Sequence, residues 1–185
     1  MKKVNTRMLV EAGMMIALAQ VLSYAKLFEM PQGGSVTAGS MIPIFVFAFR
    51  WGTLRGLLAG MVYGILQFIL GEKYSFHIVS ILFDYVIAFA CLGLAGLFRH
   101  KGMLGVMAGA FLGVLGRFIC HVISGVVVFA SYAPEGQSPW VYSILYNGSF
   151  LLVELVISLV IVGVLYKASK SNFYVKEDSS GDYTA

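Results

Sequence analysis

The sequence predicts an all-α, polytopic membrane protein of six transmembrane helices with both termini cytoplasmic. Three observations carry that prediction. Hydrophobic residues make up 59% of the 185-residue chain and charged residues 12%, about half the charged content of a typical soluble domain. The apolar residues gather into runs near the roughly 20 residues that a helix needs to cross hydrocarbon. The basic residues are divided unequally between the two sides that such runs define.

The first span is predicted over Met8–Leu27. Its start resembles a signal peptide, with Lys2, Lys3 and Arg7 before an apolar stretch that holds Ala17 and Ala19. Glu11 interrupts that stretch and five more spans follow, so it is read as a retained membrane helix. Lys26–Ser35 is rich in turn formers and reads as a loop. The second span, Val36–Phe49, is short, and Pro43 implies either a kink or a start within the membrane. The remaining spans are Leu54–Leu70, Phe76–Phe98, Met103–Ala130 and Trp140–Tyr166. Residues 1–168 thus form one transmembrane domain. Residues 169–185 form a polar cytoplasmic tail with the composition of a disordered segment.

Six spans place ten basic residues on the side of the termini: Lys2, Lys3, Arg7, Arg50, Arg55, Arg99, Lys101, Lys167, Lys170 and Lys176. Only Lys26 and Lys73 fall on the other side. The basic side is cytoplasmic by the positive-inside rule. A missed span would scramble this bias. The net charge of +4 therefore marks membrane orientation, and nucleic-acid binding is set aside because no basic stripe exists. Cys91 and Cys120 lie within apolar runs without C-x-x-C spacing and read as small buried residues.

Polar residues inside the spans are costly and mark candidate sites. At 1.5 Å per helical residue, Asp84 lies about 12 Å from the outer end of its span, His121 about 14 Å and Asn147 about 10 Å. Three helices thus bring an acid, an imidazole and an amide to one level in the outer half. Arg117 lies one turn deeper than His121. Glu154 is seven residues beyond Asn147 on the same face. Arg117 can pair with either Glu154 or Asp84. Glu11, near the cytoplasmic edge, is expected to snorkel, and His77 to be interfacial.

Tyr74, Tyr85, Phe129, Tyr132, Trp140, Tyr142 and Tyr146 cluster toward the outer ends. An interfacial aromatic belt accounts for most of them. An acid among aromatic faces also suits a flat organic cation. Tyr142 and Asn147 are about 140° apart on an ideal helix, so one pocket takes both only if it wraps the helix or the helix begins late. Glycines at four-residue spacing (Gly56, Gly60, Gly64; Gly105, Gly109, Gly113) are expected to pack helices within the chain. No Walker A, H-E-x-x-H or G-x-S-x-G pattern occurs. His77, Asp84 and His121 match no metal-ligand spacing.

Several segments together resemble a known family: MPQGGS (Met30–Ser35), MIPIF (Met41–Phe45), FDYVIAFACLGLAGLF (Phe83–Phe98), HVISG (His121–Gly125), SYAPEG (Ser131–Gly136) and WVYSILYNG (Trp140–Gly148). They are similar, in order and spacing, to the thiamine-specific substrate-binding (S) component of energy-coupling factor transporters. The resemblance implies a thiamine pocket near the outer face under the first outer loop. It implies a transmembrane coupling subunit and two ATPase subunits as partners, with ATP used by the partners and no cofactor here. Under it, Asp84 faces the thiazolium and Tyr85 follows it. His121, Tyr142 and Asn147 make polar contacts, Phe129 stacks, and Tyr74 adds a contact. Gly13 and Ala17 belong to the small-residue stripe that docks on the coupling subunit. Some members carry Glu at the Asp84 position, and tryptophans at the Phe129 position and in the first outer loop, where this chain has Gly33 and Gly34. The glycines suit a mobile lid. The alternatives are an S component for a related pyrimidine or thiamine precursor, a membrane enzyme using Asp84 and His121 as acid and base, and a scaffold with no ligand.

Overall fold

The computed structural model describes residues 5–31 and 33–174, without the side chain of residue 172. Six helical segments form the bundle: α1 (Thr6–Ser23), α2 (Ile42–Trp51), α3 (Thr53–Leu70), α4 (Ile78–Phe98), α5 (Gly102–Val128) and α6 (Pro139–Ala168). Five of them are long and apolar enough to cross a membrane, and α2 is not. Large apolar side chains such as Leu9, Leu54, Leu104, Leu152 and Val160 are exposed around the bundle, as a lipid-facing surface requires. The chain is an all-α polytopic membrane protein.

The second predicted span is corrected. Its first residues are not helical: Ser35–Thr37 is a strand, β2, paired antiparallel with β1 (Lys26–Glu29). The loop expected over Lys26–Ser35 is therefore a small hairpin. The helix that follows has ten residues, about 15 Å, half the hydrocarbon thickness. Pro43 sits in its first turn, where no backbone N–H is missed, so the helix starts there and does not kink. It is apolar nearly all round, and such a helix is stable only when surrounded. Phe45, Phe47, Phe49 and Trp51 are at most 2% exposed, and α2 is the centre of the core, touching α1, α3, α4 and α6.

The glycine stripes do pack helices within the chain. A methyl group at Gly60 or Gly64 would overlap the carbonyl oxygens of Phe89 or Tyr85 on α4. A methyl at Gly109 would meet the Ala95 oxygen at 2.6 Å. Those approaches admit an irregular α4, which runs as one α turn, a π-helical stretch (Ile81–Val86), a short α stretch and a 3-10 end (Cys91–Phe98).

Glu11 does not snorkel. It is 8% exposed and forms a two-pronged ion pair with Arg50 of α2, Nε to Oε1 and Nη2 to Oε2. Of the tail expected to be disordered from Ser169, only the first residues are described. Lys170–Phe173 forms a 3-10 turn, and Phe173 is buried against Tyr166 and Phe49, with ring centroids 5.3 and 6.1 Å away. The rest of the tail, 175–185, and Lys2, Lys3 and Lys176 of the basic set lie outside the described residues.

This packing makes two glycines behave oppositely. A methyl at Gly93 would overlap the backbone of Gly56 and Leu57, whereas one at Gly13 meets nothing within 4 Å. Gly93→Ala is expected to destabilise by about 1–3 kcal/mol through overpacking. Gly13→Ala is expected to leave stability unchanged or slightly raised. Thermal unfolding in detergent checks both.

Candidate functional site

The π-helical stretch Ile81–Val86 carries Asp84, and π turns recur at functional sites. The wider turn sets the carboxylate against three uncharged donors. Ser80 Oγ and Ser124 Oγ donate to Oδ2 at 2.6 and 2.5 Å, and His121 Nδ1 lies 2.9 Å from Oδ1. Two of the three can be traced to helical spacing. Ser80 is one turn before Asp84 on α4, and Ser124 is one turn after His121 on α5. The sequence reading missed both serines; that spacing was the available signal.

Arg117 Nε donates to His121 Nε2 at 3.2 Å. Arginine has only donors, so Nε2 holds the lone pair and Nδ1 carries the hydrogen given to Asp84. The imidazole is neutral in this arrangement. The guanidinium lies 4.4 Å from the centre of the Phe89 ring, and its Nη1 is 3.3 Å from Glu154 Oε2. Of the two pairings open to Arg117, the structure adopts the one with Glu154. Glu154 is 2% exposed, and its other oxygen accepts from Thr37 N and Thr37 Oγ1, both at 2.7 Å.

These groups line a cavity of about 400 Å³, within the range of small-molecule sites. All seven residues singled out in the sequence, Tyr74, Asp84, Tyr85, His121, Phe129, Tyr142 and Asn147, line it. Tyr142 and Asn147 both lie within α6, which begins at Pro139, one residue before the predicted start. Both reach the cavity because it wraps this side of the helix, from Tyr142 and Tyr146 through Asn147 to Phe150 and Glu154. Asn147 Nδ2 donates to Ser143 O at 2.9 Å and to His121 O at 3.4 Å, which ties α6 to α5 at the site. Tyr142, Tyr146 and Phe150 follow at one-turn spacing, with successive ring centroids 5.8 and 6.3 Å apart. The sequence reading left Tyr146 to the aromatic belt and did not use Phe150 or Thr37; all three line the cavity. His77 is exposed and caps α4, its Nδ1 accepting from Val79 N at 3.2 Å. Among the described residues no cluster of metal-ligating side chains occurs. Gly13 and Ala17 lie apart from the cavity, on an exposed face of α1.

The hairpin covers the cavity. Its tip turns through Gly33 and Gly34, with φ of +89° and +85°, values that favour glycine. Methyl groups there would also strike the Tyr74 and Phe150 rings at 2.6 Å. Tyr146 donates to Gly33 O at 2.5 Å. At the base, Lys26 pairs with Glu29 at 2.8 Å and Glu72 at 3.3 Å. The Tyr74 hydroxyl lies 2.8 and 2.7 Å from the same two carboxylates. The Lys26 hydrogen bond pulls the Glu29 carboxyl down to about 2, with Tyr74 helping. Burial and the two carboxylates push the Tyr74 hydroxyl up.

A family model described as thiamine transporter protein (Thia_YuaJ) matches residues 9–174. The chain belongs to the thiamine transporter family. Thiamine transporter ThiT of Bacillus subtilis (strain 168) is 38% identical over 172 residues, covering 85% of this chain and 89% of that protein. ThiT of Lacticaseibacillus paracasei is 32% identical over 191 residues, covering 93% and 92%. A solved structure of ThiT from Listeria monocytogenes matches with a TM-score of 0.80 at 27% identity, covering 92% of this chain and all of that one. The relatives are named transporters, so this thiamine transporter family member is a transport protein and the membrane-enzyme alternative falls away. The resemblance read from the sequence motifs holds at the level of the family.

The ion cluster is expected to make the hold of the hairpin on the bundle pH-dependent. Because the folded Glu29 carboxyl titrates below its usual 4.5, its contribution is present above that value and is lost as pH falls toward about 2. Glu29→Gln is expected to speed amide hydrogen exchange in the hairpin at pH 7 and to abolish the acid-dependent part of that rate. Exchange followed by mass spectrometry between pH 3 and 7 checks this.

Proposed function

We propose that the chain is the thiamine-binding S component of an energy-coupling factor uptake transporter, capturing thiamine at the outer face of a bacterial plasma membrane. The single observation that carries this reading is the charge of the deep cavity. Asp84 and Glu154 are anionic, Arg117 is cationic and His121 is neutral by its hydrogen bonds, which leaves one negative charge. Thiamine brings one positive charge on its thiazolium. In a partly dry cavity that attraction is several times stronger than in water. Asp84 meets the thiazolium, and Phe129 with Tyr85 supplies aromatic faces for the rings. His121, Tyr142 and Asn147 hydrogen-bond the aminopyrimidine or hydroxyethyl groups, Tyr74 closes the mouth, and the glycine-tipped hairpin is the lid.

Six segments with ten basic residues on one side and two on the other support six spans and cytoplasmic termini. α2 is completed across the membrane by the hairpin and the turn before it. A transmembrane coupling subunit and two ATPase subunits drive release. The coupling subunit docks on the exposed small-residue face of α1 at Gly13 and Ala17, where a methyl at Gly13 meets nothing of this chain. Close helix approach of that kind is what small residues permit.

Neither Trp51 nor Trp140 lines the cavity, so calorimetry is the direct readout. Titration with thiamine is expected to give a Kd below about 1 μM, and its absence refutes the ligand. Competition by pyrimidine and thiazole fragments separates thiamine from its precursors. Asp84→Asn is expected to cost about 2–5 kcal/mol of binding, while Glu11→Gln leaves affinity near wild type because its partner Arg50 is remote from the cavity. Leucine at both Gly13 and Ala17 is expected to abolish co-purification with the coupling subunit without weakening thiamine binding.

A further inference from the structure

Arg117 and Asp84 bond opposite nitrogens of the same imidazole. The guanidinium therefore faces, across a single imidazole, the carboxylate that the ligand is to neutralise. If Arg117 moved across, it would pair with Asp84, and the cavity would have no charge left to offer a cation. Glu154 stands against that move. Its Oε2 takes Arg117 Nη1 at 3.3 Å. Its Oε1 takes the Thr37 backbone N–H and hydroxyl at 2.7 Å each, so the carboxylate is itself fixed by β2 of the hairpin. Thr37 is further bound to Ser40, Oγ1 to Oγ at 2.8 Å.

We propose that Glu154 is a positioning residue for cation capture: it holds Arg117 away from Asp84 and so keeps the cavity one negative charge in excess. The inference rests on the reading of the cavity as a thiamine site. It does not require Glu154 to touch the ligand. Stability alone is a poor reason for the pair, since well-packed neutral residues of similar size often replace a buried ion pair without loss.

Charge counting makes the variants distinct. In Glu154→Gln the deep cavity is neutral, with Arg117 released toward Asp84. In the double variant Glu154→Gln/Arg117→Met the count returns to one negative charge, on Asp84. The experiment is calorimetry on the full-length chain in detergent with two probes. These are thiamine and an uncharged isostere in which carbon replaces the thiazolium nitrogen. Wild type is measured first; failure to bind thiamine there refutes the ligand and not the positioning role. The expected result is that Glu154→Gln weakens thiamine at least about 30-fold, leaves the isostere within about threefold, and is rescued to within about fivefold of wild type by adding Arg117→Met. Such sign-reversing coupling between contacting residues is what a double-mutant cycle detects. A merely structural role predicts equal loss for both probes and no rescue. Unchanged thiamine affinity in the single variant, or a folded double variant no better than the single, overturns the proposal. If the single variant fails to fold, the double variant decides: thiamine affinity near wild type supports the proposal, and loss of binding in a folded double variant overturns it.

Discussion

An ionised carboxylate inside a helical bundle must be solvated by something, and the choice of solvating groups decides what the site can hold. Asp84 is surrounded by donors that carry no net charge: two serine hydroxyls and an imidazole N–H. They offset part of the desolvation cost and leave the charge itself in place. The nearby formal cation, Arg117, is engaged with Glu154 and faces the far side of the same imidazole. On the proposed reading, neutralisation of Asp84 is left to the ligand. Three neutral donors in place of one buried lysine or arginine distinguish this carboxylate from a finished salt bridge.

The hairpin applies the same economy of contact to access. Its tip reaches the Tyr74 and Phe150 rings only because Gly33 and Gly34 lack side chains. Val36 of β2 is buried in the core, and the rest of the hairpin's hold is polar: Tyr146 at the tip, Glu154 at Thr37, and the Lys26–Glu29–Glu72 cluster at the base. Surface ion pairs of that kind contribute little individually. Leu27 and Phe28 stay exposed at 66% and 59%. β1, exposed along its whole length, has the few buried contacts that mark the low-stability end of a molecule's local unfolding spectrum, whereas β2 is anchored by Val36 in the core and by Thr37 on Glu154.

How much of this was legible in the sequence follows from the period of each element. The long helices α1, α3, α5 and α6 were readable to within a few residues because run length is set by the membrane. Helical rise is fixed, so counting residues from the span ends brought Asp84, His121 and Asn147 to one level, and the structure joins all three through hydrogen bonds. The hairpin was not legible. β1 has four residues and β2 three, too few for a period-two pattern to stand out beside an apolar run. Val36 and Thr37 therefore read as the start of a membrane helix. Ser80 and Ser124 carry no signal until Asp84 is given partners at one-turn spacing. The choice of Glu154 over Asp84 for Arg117 needs the position of β2, a contact 117 residues apart in sequence, which no local pattern encodes.

Most of the irregular backbone in this bundle gathers at the cavity. The π-helical stretch carries Asp84, the bulged hairpin covers it, and the ten-residue α2 follows the strand that holds Glu154. Elsewhere α3 and α5 run as uninterrupted helix, and their glycines serve close packing. In hydrocarbon, non-helical backbone is tolerated only where protein or a cavity satisfies it. The departures from ideal geometry therefore have to face inward: most converge on one cavity, and the 3-10 end of α4 packs against α2, α3 and α5. Regularity is what the membrane imposes on the outside of this chain, and the site occupies the region where that constraint is lifted.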